Sequence, residues 1–205
     1  MNFSFWETDT FFSEIDYCII GSGITGLNCA IHLKALEPEA KIIILEKGVL
    51  PEGASTKNAG FACFGSISEI LDDLKTHSEE EVVELVEKRR NGLDLLRKNL
   101  GDQNIDFQNN SGYELFTHND EALYQESMDR IAEVNRLLKP VFGSDVFSVY
   151  NNHFGFSNIQ PKLIRNKFEG QIDTGKMMRS LVRKAVSLGV TILNGMEVKS
   201  FSDEG

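Results

Sequence analysis

The sequence is poor in the residues that mark several common classes of protein. Its three cysteines, Cys18, Cys29 and Cys63, have neither the pairing of a disulfide framework nor the spacing of a metal site. Cys18 falls in an apolar run and Cys29 in a helical one, where a free thiol packs as a small hydrophobe; Cys63 has no base beside it. An odd count without a framework fits a reducing, cytoplasmic setting. No apolar run approaches the ~20 residues of a membrane-spanning helix, and the first residues lack the basic-then-apolar order of a signal peptide. Basic residues are in deficit: 21 Lys and Arg stand against 31 Asp and Glu, a net charge of −10. Such a surface repels a phosphate backbone, so no nucleic acid partner is expected. His32 falls mid-helix and His77 at a helix end, as solvated or packed residues, and His118 and His153 lie too far apart, with no acid or cysteine at ligand spacing, so no metal is expected.

What is present is a globular mix, 41% hydrophobic and 25% charged, with no internal repeat and no low-complexity tract. Phe3, Phe5, Trp6, Phe11 and Phe12 make a sticky N-terminal arm, expected to fold onto the body. Tyr17–Ile20 is a short apolar run ending in glycine, the pattern of a buried parallel strand. Helical spacing follows from Ile24 to Leu36, stopped by Pro38, and Lys41–Glu46 is a second, β-branched strand. Together they form one βαβ unit. Residues 51–66 are rich in glycine, alanine and serine and read as a long functional loop. Helices are expected from about Ser68 and over Glu79–Leu100, the latter with its acids massed at the start.

The middle third changes character. Ile105–Phe107 and Gly112–Thr117 read as two strands joined by Asn109–Ser111, followed by a helix over Asn119–Leu138 ended by Pro140 and a strand at Val146–Tyr150. The βα pattern then returns: Asp173 or Thr174 can cap a helix ending near Gly189, and Val190–Leu193 and Glu197–Phe201 read as strands. This gives domain boundaries of 1–85 with 166–205 for a nucleotide-binding domain and 86–165 for an inserted one.

The chemistry is concentrated at Gly21-Ser22-Gly23-Ile24-Thr25-Gly26. A glycine-rich turn alone is weak, but this one follows an apolar strand and opens a helix. An acid, Glu46, also ends the next strand. Gly21 permits the tight turn, Gly23 the approach of a pyrophosphate, and Gly26 close packing of the helix. The helix start presents N–H groups to phosphates, and Glu46 can accept from the ribose hydroxyls. A 2′-phosphate would be repelled there, which disfavours NADP. The turn itself does not distinguish FAD from NAD.

After Glu46-Lys47, the stretch Gly53-Ala54-Ser55-Thr56-Lys57-Asn58-Ala59-Gly60-Phe61 resembles the D-amino-acid oxidase and glycine oxidase family of FAD enzymes, with its sarcosine and amine oxidase branches. The resemblance resumes at Glu169–Lys176 and runs through Gly189-Val190 to Glu197-Val198. It implies that Ser55 and Thr56 reach the phosphates, that Asn58, Ala59, Gly60 and Phe61 lie along the isoalloxazine ring, and that Val198 meets adenine through its main chain. Tyr113 could face the flavin, although cross-strand packing is the plainer role for it.

The implied fold is α/β: a doubly wound, Rossmann-type FAD domain interrupted by an α+β substrate domain. The implied reaction is oxidation of a D-amino acid, glycine or related small amine by hydride transfer to the flavin. No catalytic acid or base is visible. Family members are markedly longer than 205 residues. The resemblance therefore implies that a C-terminal part lies on a continuation, a second copy or a partner subunit, and that the chain is inactive alone. The alternatives are a non-catalytic FAD-binding subunit and an NAD-dependent reductase, for which the 53–61 loop has the wrong form.

Overall fold

The computed structural model describes residues 3–202. In chain order the elements are α1 (Phe5–Glu7), β1 (Tyr17–Ile20), α2 (Ile24–Leu36), β2 (Ile42–Glu46), α3 (Ala54–Lys57), β3 (Phe61–Ala62), α4 (Ile67–Asp73) and α5 (Glu79–Leu100). They continue with α6 (Asp102–Ile105), β4 (Gly112–Glu114), α7 (Glu121–Phe142), β5 (Phe147–Asn151), β6 (Lys162–Asn166), β7 (Gly170–Gln171), α8 (Thr174–Ser187) and β8 (Thr191–Asn194). Two compact units result, residues 1–59 with 173–205, and residues 60–172. These limits differ from the expected 85/86 and 165/166, and packing explains why. Ile67, Ile70, Leu71, Val82 and Val86 share one core with Val134, Leu138, Phe147 and Ile164.

In the first unit β1, β2 and β8 form a parallel sheet with β2 at its centre. Ile42, Ile43 and Ile44 are accordingly all buried. α2 and α8 pack on each other, burying Leu27, Ala30 and Ile31 from one and Met177, Met178, Leu181 and Ala185 from the other. Asp173 caps α8 as expected, its carboxylate accepting the Lys176 N–H at 2.8 Å. β1 departs from expectation. It is an edge strand, and its Cys18–Ile20 face has no covering layer among the described residues, leaving Ile20 62% exposed. Cys29 is likewise exposed rather than packed.

The second expected strand after α8, Glu197–Phe201, is irregular chain. The backbone turns away after β8, where Gly195 and Met196 donate to the carbonyls of Gly48 and Glu46 at 3.1 and 2.8 Å. The continuing strand or turn expected at Asp203–Gly205 lies outside the described residues. Among the described residues the N-terminal arm is tethered near its end, where Lys41 Nζ donates to the Thr10 and Ser13 carbonyls at 3.1 and 2.6 Å, while Phe5 and Trp6 stay exposed.

In the second unit α4, α5 and α7 contribute to one core with the antiparallel sheet β4-β6-β5, and β3 and β7 form a separate two-stranded ribbon. Ser66 and Ser78 start α4 and α5 with reciprocal capping boxes. Four sequence expectations are corrected here and in the 51–66 segment. Ile105 ends a helix and Asp106 adopts a left-handed conformation at φ 52°, so Ile105–Phe107 is not a strand. The hairpin expected with 112–117 is absent; β4 is shorter and pairs with β6 instead. The 51–66 loop carries α3 and β3. Pro140 lies inside α7, which ends at the left-handed Gly143 (φ 75°), whose N–H closes on Lys139 O at 2.8 Å. Near a helix end a proline removes a single ladder bond, which the last turn tolerates.

Candidate nucleotide site

The site grows from the turn between β1 and α2. Gly21 has φ 93°, a conformation that side chains resist, and its N–H donates to Leu45 O at 2.8 Å, holding the turn beside β2. At Gly26 an added Cβ would stand 2.0 Å from Gly21 O, so the first turn of α2 can lie on the loop only with glycine there. At Gly23 the nearest atom to such a Cβ is Ser55 Oγ, at 3.1 Å. Ser55 Oγ also accepts the Ile24 N–H at 3.0 Å, joining the α3 segment to the start of α2. Thr25 is exposed on that first turn.

Glu46, 7% exposed, organises the turn. Its Oε2 accepts both the Ser22 N–H and the Ser22 hydroxyl at 2.8 Å, and its Oε1 accepts the Gly48 N–H at 2.9 Å. Burial is the largest influence on its carboxyl and pushes it up. The bonds from Gly48 and Ser22, with Lys47 nearby, outweigh burial and hold it below the usual carboxylate range. An ionised carboxylate offers about four lone-pair sites. Three are filled here, so one on Oε1 remains, where the sequence had suggested a grip on both ribose hydroxyls. Ser22 was expected in the turn, but its bonds to Glu46 were not.

These residues open onto a cleft of about 900 Å³ lined by Gly21, Gly23, Glu46, Lys47, Gly53, Lys57 and Val198, among others. Val198 reaches it because the Gly195–Met196 turn is bonded to the end of β2. Thr56, expected at the phosphates, directs its hydroxyl to the carbonyls of Pro51 and Gly53 at 2.9 and 3.1 Å. Asn58 donates to Ser55 O at 2.8 Å and closes α3. Ala59 is exposed, Gly60 buried, and the Phe61 ring 76% exposed. A second, more apolar cavity of about 940 Å³ runs along α8 past Met178, Val182 and Ile192 and meets the glycine turn only at Ser22. Tyr113 packs in the second unit between the rings of Tyr150 and Phe154, with centroids 5.2 and 5.0 Å away.

The cleft fits the adenosine-diphosphate half of a flavin or nicotinamide dinucleotide. Added Cβ atoms at Gly21 and Gly53 would meet nothing within 4 Å, so the wall is open where a pyrophosphate must approach. A helix start and a buried acid flank that opening. The family of FAD dependent oxidoreductases termed DAO matches residues 16–205. The chain belongs to this family. Its cofactor is FAD, which settles what the glycine turn left open.

Solved structures share the fold. A glycine oxidase from Bacillus cereus is 20% identical with a TM-score of 0.62, over 93% of this chain and 48% of that one. An L-amino acid deaminase from Proteus myxofaciens is 20% identical with a TM-score of 0.68, over 94% and 41%. An L-proline dehydrogenase from P. horikoshii is 16% identical with a TM-score of 0.59, over 93% and 46%. The chain spans about half the length of these proteins or less. No curated protein matches the chain. No helix among the described residues is long and apolar enough to cross a membrane.

Proposed function

We propose that this chain forms the FAD-binding part of an oxidoreductase that oxidises the amine of an α-amino acid, glycine or a related small amine. The observation that carries the reading is the open cleft beside Glu46, walled by glycine and bounded by the start of α2. Glycine, L-amino acids and L-proline, after which the similar enzymes are named, share an amine on a carbon that bears hydrogen. When bound, the flavin supplies the two-electron oxidation of that carbon–nitrogen bond.

The chain's own residues bind and orient. Glu46 anchors the ribose by its remaining lone pair, Gly21 to Gly26 admit the pyrophosphate, and Lys47 and Lys57 place positive charge beside it. Val198 offers backbone to the adenine, and Asn58, Ala59, Gly60 and Phe61 run along the ring. Ser55 holds the turn through Ile24, and Thr56 fixes the loop rather than touching phosphate. The three free thiols support a cytoplasmic setting.

The test is reduction of bound flavin under anaerobic conditions by a panel of D- and L-amino acids, glycine and N-methyl amines, using the protein that contains this chain. Loss of the visible flavin bands with at least one of these supports the reading. Retention of the bands with all of them, in a protein that holds FAD, would make it a binding subunit without this activity.

A further inference from the structure

The apolar cavity along α8 lies wholly within the first unit, and the nucleotide reading gives it no role. α8 carries two apolar stripes. Met177, Leu181 and Ala185 form the buried one. Val182 and Val186, four residues apart, line the cavity together with Ile192 of β8 and Leu50. Val186 is 54% exposed, so no described segment covers the far end of this second stripe. Arg179 and Arg183, also four apart on α8, border the same groove, and Lys57 joins them. None of these three bases has an acidic partner among the described residues. Glu52 is the single acid in the lining. In a chain of net charge −10, this groove is a local reversal of sign.

The N-terminal arm has the complementary character. From residue 3 to residue 16 it carries Glu7, Asp9, Glu14 and Asp16 and no base. Its shape is set from within. Ser4 caps α1, with Glu7 Oε2 accepting the Ser4 N–H at 2.7 Å, and a further helical turn over Thr8–Phe12 follows. Phe3 and Phe12 close on each other, their ring centroids 4.8 Å apart. That leaves Phe5 and Trp6, an edge-on pair with centroids 5.2 Å apart, exposed at 70% and 74%. The Asp9 carboxylate has no partner among the described residues. A preformed aromatic pair beside a free acid matches an apolar groove with a basic border in both polarity and charge.

We propose that the arm of one copy docks in the α8 groove of a second copy, with Phe5 and Trp6 on the Val182–Val186 stripe and Asp9 against Arg183, and that the exchange is reciprocal. The groove, about 940 Å³, has the size of a pocket that holds a drug-sized ligand, enough for two rings. Area decides the reciprocity. Two aromatic side chains at about 150–250 Å² each, with the groove surface they cover, give roughly 600–1,000 Å² for one arm. A stable interface buries about 1,200–2,000 Å². Two arms in two grooves reach that range, and a two-fold pair makes both contacts at once. The exchange involves no flavin, so it stands or falls separately from the cofactor reading.

The test uses the full chain, whose sole tryptophan is Trp6, so that its fluorescence reports on the arm alone. Sedimentation equilibrium and tryptophan emission are followed together across the micromolar range of protein. The proposal expects a dimer and, in step with its formation, a blue shift of the emission. Phe5→Ser should weaken association at least about thirtyfold, as for a central aromatic anchor. Arg183→Glu should weaken it about tenfold by setting like charges together, and adding Asp9→Lys should restore it. Both positions are exposed, and circular dichroism checks that the variants keep the fold. A monomer throughout overturns the proposal. So does a dimer in which Trp6 emits as an exposed ring, which places the interface elsewhere, and so does a blue-shifted Trp6 in a monomer, which places the arm on its own copy. Weakening by Arg183→Glu that Asp9→Lys does not restore overturns the pairing of arm and groove.

Discussion

Glu46 and Glu169 are the two carboxylates buried among the described residues, one in each compact unit, and they are held in opposite ways. Both accept backbone N–H groups. Glu46 has three donors and Lys47 beside it, and it is held low. Glu169 has two donors and faces Glu69 and Glu114, and it is held high. Burial pushes both carboxyls up; at Glu46 the bonds from Gly48 and Ser22 outweigh it, whereas at Glu169 burial outweighs the Phe64 and Gly65 bonds, with Glu69 and Glu114 adding to the rise. The first unit keeps a charge ready beside a nucleotide cleft, whereas the second stores carboxyls that resist ionising together.

The largest effect that would sharpen this contrast is expected at Gly26. Gly26→Ala forces a Cβ onto Gly21 O, an overpacking cost of about 1–3 kcal/mol, and should abolish FAD binding. Stability by urea titration and FAD content measure it; retained FAD content would contradict the loop geometry. Next comes Glu46→Ala, which removes the Ser22 and Gly48 ties together with the ribose contact. A charge-assisted bond of roughly 1.5–3 kcal/mol predicts FAD affinity about ten- to a hundredfold weaker in a flavin titration.

The same kind of change in the other unit should act differently. Gly112→Ala displaces the Glu169 carboxyl and should cost about 1–3 kcal/mol of folding stability by denaturant titration. The adenosine contacts of the first unit should be untouched.

The pH dependence should split by unit. Glu46, depressed in the fold, contributes stability above the ordinary carboxylate pKa, and this is lost as pH falls through its lower folded value. Glu169 and Glu114, raised in the fold, contribute stability that is complete below the ordinary carboxylate pKa and lost as pH rises through their higher values. Relative to wild type, the slope of the denaturation midpoint against pH between acid and neutral should become more negative in Glu46→Gln and more positive in Glu169→Gln. Identical profiles for the two variants would erase the comparison. The smallest effect is expected for Thr56→Val, which removes a hydroxyl bonded to Pro51 and Gly53. It should cost about 1 kcal/mol of stability and leave FAD affinity unchanged.

The first unit was legible where its determinants are local. The glycine turn, the apolar runs of β1 and β2, the limits of α2 and the capping of α8 depend on neighbours a few residues away. Exposure of β1 was not legible, because the pattern of a strand does not report which face another layer covers. The second unit hid its pairing: β4 finds β6 some fifty residues on, and the nearer partner favoured by turn residues is a helix. Pro140 misled because a stop signal counts less in a last turn. Glu46 stood out in the sequence as the acid that ends β2, but Ser22 and Gly48 shape it through contacts that a spacing rule does not contain. Glu169 was noticed only as the first residue of a family-like stretch, since its burial depends on a glycine at 112 and its charge on two other acids distant in sequence.

The central claim is that the turn at Gly21–Gly26 and the acid at Glu46 bind the adenosine-diphosphate half of FAD. Gly23→Val tests it most directly, because Gly23 faces the cleft and only the Ser55 hydroxyl stands near an added Cβ. Equilibrium flavin titration should show FAD affinity at least about a hundredfold weaker, with far-ultraviolet circular dichroism unchanged. Wild-type affinity in a folded Gly23→Val protein would contradict the account.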